Sequence, residues 1–128
     1  MRIPIYKLPI LLGDESLLKF EELIRLVYDK EYEDKQNFLY PVISYKGDDG
    51  YYGKYYRYNK TLEDRNICAV VHKFEYNDGV LIAQIKPIVS NFFPYSEDNS
   101  FTPYLCPLGI VDDKNNVTDI IAFQICHL

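Results

Sequence analysis

The sequence predicts an α+β domain, a mostly antiparallel sheet or small barrel with one amphipathic helix near the N-terminus. Three stretches carry that expectation. Asn66 to Ile88 sets two runs rich in β-branched and aromatic residues on either side of Asp78-Gly79. That is a strong short-range hairpin signal. Leu17, Phe20, Ile24 and Val27, with Leu23 beside them, fall on one helical stripe, the spacing of an amphipathic helix. Leu108 to Val111 and Val117 to Cys126 flank the acidic, Asn-rich turn DDKNN, which reads as a second hairpin.

The chain has 128 residues, within the size of one domain. It divides into an extended arm, 1–13, and one α+β domain, 14–128. With 48% hydrophobic and 26% charged residues, it can bury a core. Its net charge of −5 argues against broad, phosphate-driven nucleic-acid binding, which needs gathered Lys and Arg. The three cysteines, Cys68, Cys106 and Cys126, are odd in number and widely spaced. They fit neither a disulfide framework nor a CxxC zinc pattern, and are expected to be small buried hydrophobes. Pro4, Lys7 and Pro9 interrupt what would be the apolar core of a signal peptide. No run approaches the ~20 apolar residues of a membrane span. Asn59-Lys60-Thr61 and Asn116-Val117-Thr118 match the glycosylation pattern. They are read as incidental in an Asn-rich chain.

Met1 to Gly13 is apolar but holds Pro4 and Pro9, each of which breaks a helix. The segment is extended: an edge strand of the chain's own sheet, where proline is tolerated, or an arm laid on a neighbour. Asp14 can cap a helix over about 15–29, with Glu21 and Arg25 four apart in the favourable order. A strand is expected over Phe38–Tyr45, then a turn at Lys46–Gly50. YYGKYYRYNK follows, residues 51–60, with five tyrosines among three basic residues. In the central hairpin, a two-residue turn pairs Tyr76 with Leu81, Phe74 with Ala83 and His72 with Ile85. Glu75, Lys73, Gln84 and Lys86 then share the polar face. Val89 to Pro107 reads as a long loop rich in Phe and Tyr; such loops are functional or packed against something.

The tyrosine cluster is the most unusual feature. Tyr51, Tyr52, Tyr55, Tyr56 and Tyr58 with Lys54, Arg57 and Lys60 could stack bases. They could also anchor a protein interface, or alternate along a strand. Asp48-Asp49-Gly50 and Asp112-Asp113 lack the spaced ligands and closing Glu of a Ca²⁺ loop and read as polar turns. His72 and His127 are the histidines available as bases, with Ser44, Ser90, Cys106 or Cys68 as nucleophiles. No motif brings such a pair together. His72 is expected on the buried face of the hairpin, and His127 beside a fraying terminus. No catalytic residue, metal site or cofactor is assigned.

Phe101 to Cys126, with Pro107, Gly109, Asp112, Val117, Asp119, Phe123 and Ile125, resembles a run in tailed-phage head proteins. There a Pro- and Gly-containing strand, an acidic turn and a V-x-D-x-x-x-F-x-I strand close a barrel or sandwich. Prohead proteases of tailed phages have a similar run preceded by a serine nucleophile. This chain has Phe101-Thr102-Pro103-Tyr104 at that place, so no protease residue carries over. The Asn, Lys, Ile and Tyr content looks like that of crAss-like phages, whose virions include small auxiliary capsid proteins.

The resemblance implies a non-enzymatic structural virion protein, an auxiliary or decoration component of a phage head. It would be made in the host cytoplasm and bind the major capsid protein or other virion proteins, with a homo-oligomer possible and no membrane partner. Contacts are expected from the arm (Ile3, Ile5, Tyr6, Leu8, Ile10), from the five tyrosines, and from Phe92, Phe93 and Tyr95. The alternatives are a single-stranded nucleic-acid module using Tyr51–Tyr58, or a degenerate hydrolase of prohead-protease type using His72 with Ser90 or Cys106.

Overall fold

The computed structural model describes residues 5–13, 16–33, 40–43, 55–57, 67–88 and 103–127. These form strands β1 (Tyr6–Pro9), β2 (Pro41–Ile43), β3 (Tyr55–Arg57), β4 (Ile67–Asn77), β5 (Val80–Pro87), β6 (Pro103–Val111) and β7 (Val117–His127), with one helix, α1 (Phe20–Glu33). The strands make one sheet in the order β1-β5-β4-β2-β7-β6-β3. Pairing is antiparallel except where β2 meets β7 and β3 meets β6. The sheet curls into a half-barrel, and a parallel bridge from Ile10 to Leu105 ties its first strand to its sixth. The α+β, mostly sheet architecture is thus the one the sequence predicts.

The β4–β5 hairpin is nucleated as expected. Asp78 and Gly79 have φ of 50° and 79°; two consecutive positive φ values make the type I′ turn, whose twist matches that of the strands. Tyr76 faces Leu81 and Phe74 faces Ala83. The expected register ends there. It is Val71, not His72, that pairs with Ile85, because a bulge lies between Val71 and Lys73. The extra residue leaves both His72 and Lys73 exposed and returns Phe74 to the core. His72 is therefore on the surface rather than buried.

The helix also departs from expectation. It starts at Phe20 and ends at Glu33, later at both ends than 15–29. The first carbonyl to accept an intrahelical bond is that of Lys19, from Leu23 N–H at 3.0 Å. Residues 16–18 form a separate bend, held by the Leu18 N–H donating to Ser16 Oγ at 3.2 Å. Helical phase does not extend back through that bend, so Leu18 is buried and Leu17 is 49% exposed. Leu23 and Val27 carry the buried stripe, with Phe20, Ile24, Leu26 and Tyr28 packed around it. Glu21 and Glu22 occupy the first turn, where negative charge complements the helix dipole.

β6 begins at Pro103, inside the stretch expected to be loop. Two prolines fit here because of their phase. Leu11 N–H donates to Leu105 O at 2.9 Å, so Leu105 turns its amide groups away from β7. Alternate residues share that direction, so Pro103 and Pro107 also point their nitrogens away from the β7 ladder. No bond of the β6–β7 hairpin is lost.

The main core joins α1 to the concave face, with Tyr40, Phe74 and Phe123 at its centre. A second cluster, Tyr104, Cys106 and Cys126 with Leu11 against it, lies apart. The end of β7 is consequently buried on both faces, Gln124 included at 8% exposure.

Candidate surface site on the outer sheet face

The arm does not present its apolar residues as a free segment. Over Tyr6–Pro9 it is strand β1, paired antiparallel with β5. Leu8 and Ile10 are each 1% exposed and belong to the core, and Tyr6 is half-buried against it. Neither Leu8 nor Ile10 can touch a partner without opening the fold. Ile5 remains 46% exposed. Lys7 and Pro9 sit on this edge, and both discourage a foreign strand from pairing there. Ile3, Tyr51, Tyr52, Tyr58, Phe92, Phe93 and Tyr95 lie outside the described residues. Tyr55 and Tyr56 are in β3, in parallel register with Gly109 and Ile110; their side chains are outside the description.

The register gathers a face that the sequence only half shows. Lys7 pairs with Gln84, and Gln84 pairs with Lys73. Residues in register share a side of the sheet, so these three make one row across β1, β5 and β4. Lys86, paired with Val70, stands in the next row. Ile82, paired with both Pro9 and Glu75, stands on the same face in the row beyond Gln84 from Lys86. The opposite side of these strands is Leu8, Leu81, Ala83, Ile85, Val71 and Phe74, all buried. The outer face therefore carries lysines and aliphatics above a filled core. Ile88, the residue after β5, is 57% exposed, and Val80, at its start, is 42% exposed.

One carboxylate lies among these cations. Glu75 Oε1 is 3.4 Å from Lys7 Nζ and accepts a hydrogen bond from Gln84 Nε2. This links β4, β5 and β1, though an exposed ion pair contributes only about 0–1 kcal/mol. Neither Lys73 nor Lys86 forms an ion pair among the described residues.

The hydrolase pairs are not assembled from the described residues. His72 is on the outer surface of β4, whereas Cys106 is buried in β6. β2 and β7 lie between these strands, so at roughly 4.8 Å per strand the two are about 14 Å apart along the sheet. Cys68 is four residues from His72 on the same strand, roughly 13 Å away. Ser44 and Ser90 lie outside the described residues, as does Asp48-Asp49-Gly50. His127 pairs with Pro103 at the end of the β6–β7 hairpin. Asp112 caps its turn: Oδ1 accepts the N–H groups of Asn116 at 2.8 Å and Lys114 at 2.9 Å. The Asn116 bond foremost holds this carboxyl below its usual range. Among the described residues no three His, Cys, Asp or Glu side chains group to hold a metal ion. No described helix is long and apolar enough to cross a membrane.

All three cysteines are buried free thiols. Burial pushes Cys68 up to about 11 from 9.0. The neighbouring Cys106 thiol, with burial, pushes Cys126 up as well. At pH 8 the native Cys68 thiolate fraction is thus about 100-fold below that of a free thiol. Native iodoacetamide labelling of Cys68 should be slower by at least that factor than labelling in urea, read by peptide mass spectrometry. Comparable rates would mean the β4 packing is wrong. The folded thiol holds its proton more tightly than the unfolded one. Its stabilising contribution is therefore present below pH 9 and is lost as pH rises towards about 11.

No family model, curated protein or solved structure matches this chain.

Proposed function

We propose that the protein is a structural virion component, an auxiliary or decoration protein of a phage head, made in the host cytoplasm and acting by surface burial rather than catalysis. The observation that supports this reading is the outer face of β1–β5–β4. It is backed by a filled core and leaves Ile5, Val80 and Ile88 at 46%, 42% and 57% exposure. Large exposed aliphatics at the strand ends of a packed sheet are suited to a partner surface. Each, if fully buried by the major capsid protein, contributes roughly 1.5–3 kcal/mol. The contact therefore moves from the free arm to the sheet face, since Leu8 and Ile10 are already committed to the core.

Quantitative mass spectrometry of purified heads tests the proposal. The chain should be present at a simple multiple of the capsid lattice. The Ile5→Asp/Ile88→Asp variant, altered only at exposed positions, should fold and be missing from particles. Complete absence of the wild-type chain would remove the virion reading. Full retention of the variant would remove this face as the contact.

A further inference from the structure

We infer that the outer face of β1–β5–β4 docks an acidic protein segment that carries aliphatic side chains, with Lys73 and Lys86 as its charge contacts and Ile5, Ile82 and Ile88 as its apolar ones. The inference rests on this face being a docking surface, as proposed above, but not on the partner being a capsid.

The charge argument is local. The whole chain carries 14 Lys and Arg against 19 Asp and Glu, so it has no general cationic field. Yet three lysines from three separate stretches converge on one face. Among the described residues the one carboxylate of this face, Glu75, is already engaged by Lys7 and Gln84. Lys73 is exposed, Lys86 is half-buried, and the bulge adds exposed His72 beside Lys73. Among the described residues the positive charge of this face without a carboxylate partner is therefore at Lys73 and Lys86, and carboxylates complement it.

The aliphatics say which kind of polyanion fits. Bases stack on aromatic platforms, and the paired rows of this face from Lys7 to Lys86 hold Lys, Gln, Ile, Val, Pro and Glu but no aromatic ring. A second copy of the chain docking by the same face would set lysine rows against each other, and like charges opposed across an interface are unfavourable. An acidic segment with interspersed aliphatics satisfies both halves of the face. From Val80 to Ile88 the strip is about 27 Å long. Three strands wide, it offers a few hundred Å², below the roughly 800 Å² per partner of a standard interface. A single contact of this kind is weak and gains strength by repetition on a lattice.

Fluorescence anisotropy with a labelled peptide of Glu-Glu-Leu repeats tests the inference. The peptide should bind at low salt and weaken as ionic strength shortens the screening length. The Lys73→Glu/Lys86→Glu variant should bind at least tenfold more weakly, a loss of about 1.4 kcal/mol. Lys73→Gln/Lys86→Gln, which removes charge without reversing it, should fall between; circular dichroism of each variant verifies folding. A Gln-Gln-Leu peptide of equal length should bind poorly. The inference is overturned by no binding of the acidic peptide, by unchanged affinity in both lysine variants, or by tighter binding of an oligothymidine of equal charge. Peptide binding by a chain absent from particles would sustain this chemistry and remove the virion reading. Uptake into particles without peptide binding would do the reverse.

Discussion

Phe123→Ala should lower the free energy of unfolding by about 3–5 kcal/mol, the usual range for a buried Phe cut back to Ala. Phe123 is fully buried on β7. Its ring meets Tyr40 edge-on, with centroids 5.3 Å apart and planes at 79°. It also meets Phe74 at 5.7 Å, and Tyr40 and Phe74 meet each other at 5.7 Å. Each such pair contributes about 0.5–1.5 kcal/mol beyond the area it buries. The three rings come from β7, from the residue before β2 and from β4. They join the two hairpins that the sequence specifies separately. Domains of this kind have a total stability of about 5–15 kcal/mol, so the loss is a large fraction. Urea unfolding followed by circular dichroism measures it, and Ile121→Ala, half-buried on the same strand, should cost clearly less. A Phe123 loss no larger than the Ile121 loss would show that the ring triad is not the centre of the core.

The sequence made local pairings legible but only some of their interruptions. The Asp78-Gly79 turn and the Phe74–Ala83 pair follow from residue types next to each other. The bulge at His72 was signalled too: His72-Lys73 puts two polar residues in succession between buried Val71 and Phe74, which a strict period of two cannot accommodate. The late helix start was not signalled. Leu17 has the right spacing for the stripe, and only the Ser16–Leu18 bend takes it out of phase. The strand start at Pro103 was not legible within the stretch 89–107 read as loop, because a sequence does not reveal which way an amide nitrogen points. The candidate site was half legible. Lys73, Gln84 and Lys86 follow from the hairpin alone, but Lys7 joins them only through the β1–β5 register. That long-range pairing also decides whether the N-terminal segment is an arm or a strand.

That question has a direct answer in a truncation. Removing residues 1–12 should abolish cooperative folding rather than leave a domain that merely fails to assemble. Leu8 and Ile10 lie in the core at 1% exposure each, and burial of each is worth roughly 1.5–3 kcal/mol. Tyr6 and Leu12 pack against the same core, and Leu11 against the second cluster. Ile10 N–H donates to Leu81 O at 2.8 Å, and Leu11 N–H to Leu105 O at 2.9 Å. The truncation therefore removes the link between β5 and β6 that holds the half-barrel curled. It also bares the edge of β5 without the Lys7 and Pro9 that guard the sheet, and a long apolar edge invites aggregation. The summed loss approaches the total of about 5–15 kcal/mol available to such a domain. Residues 13–128 should accordingly elute as aggregate from size exclusion and show no sigmoidal urea transition. A monomer with a near wild-type midpoint would mean that β1 contributes little to the fold, and would free the segment to act on a neighbour. The point variants Leu8→Ala and Ile10→Ala grade the same argument, since each should cost about 2–5 kcal/mol while leaving the backbone ladder in place.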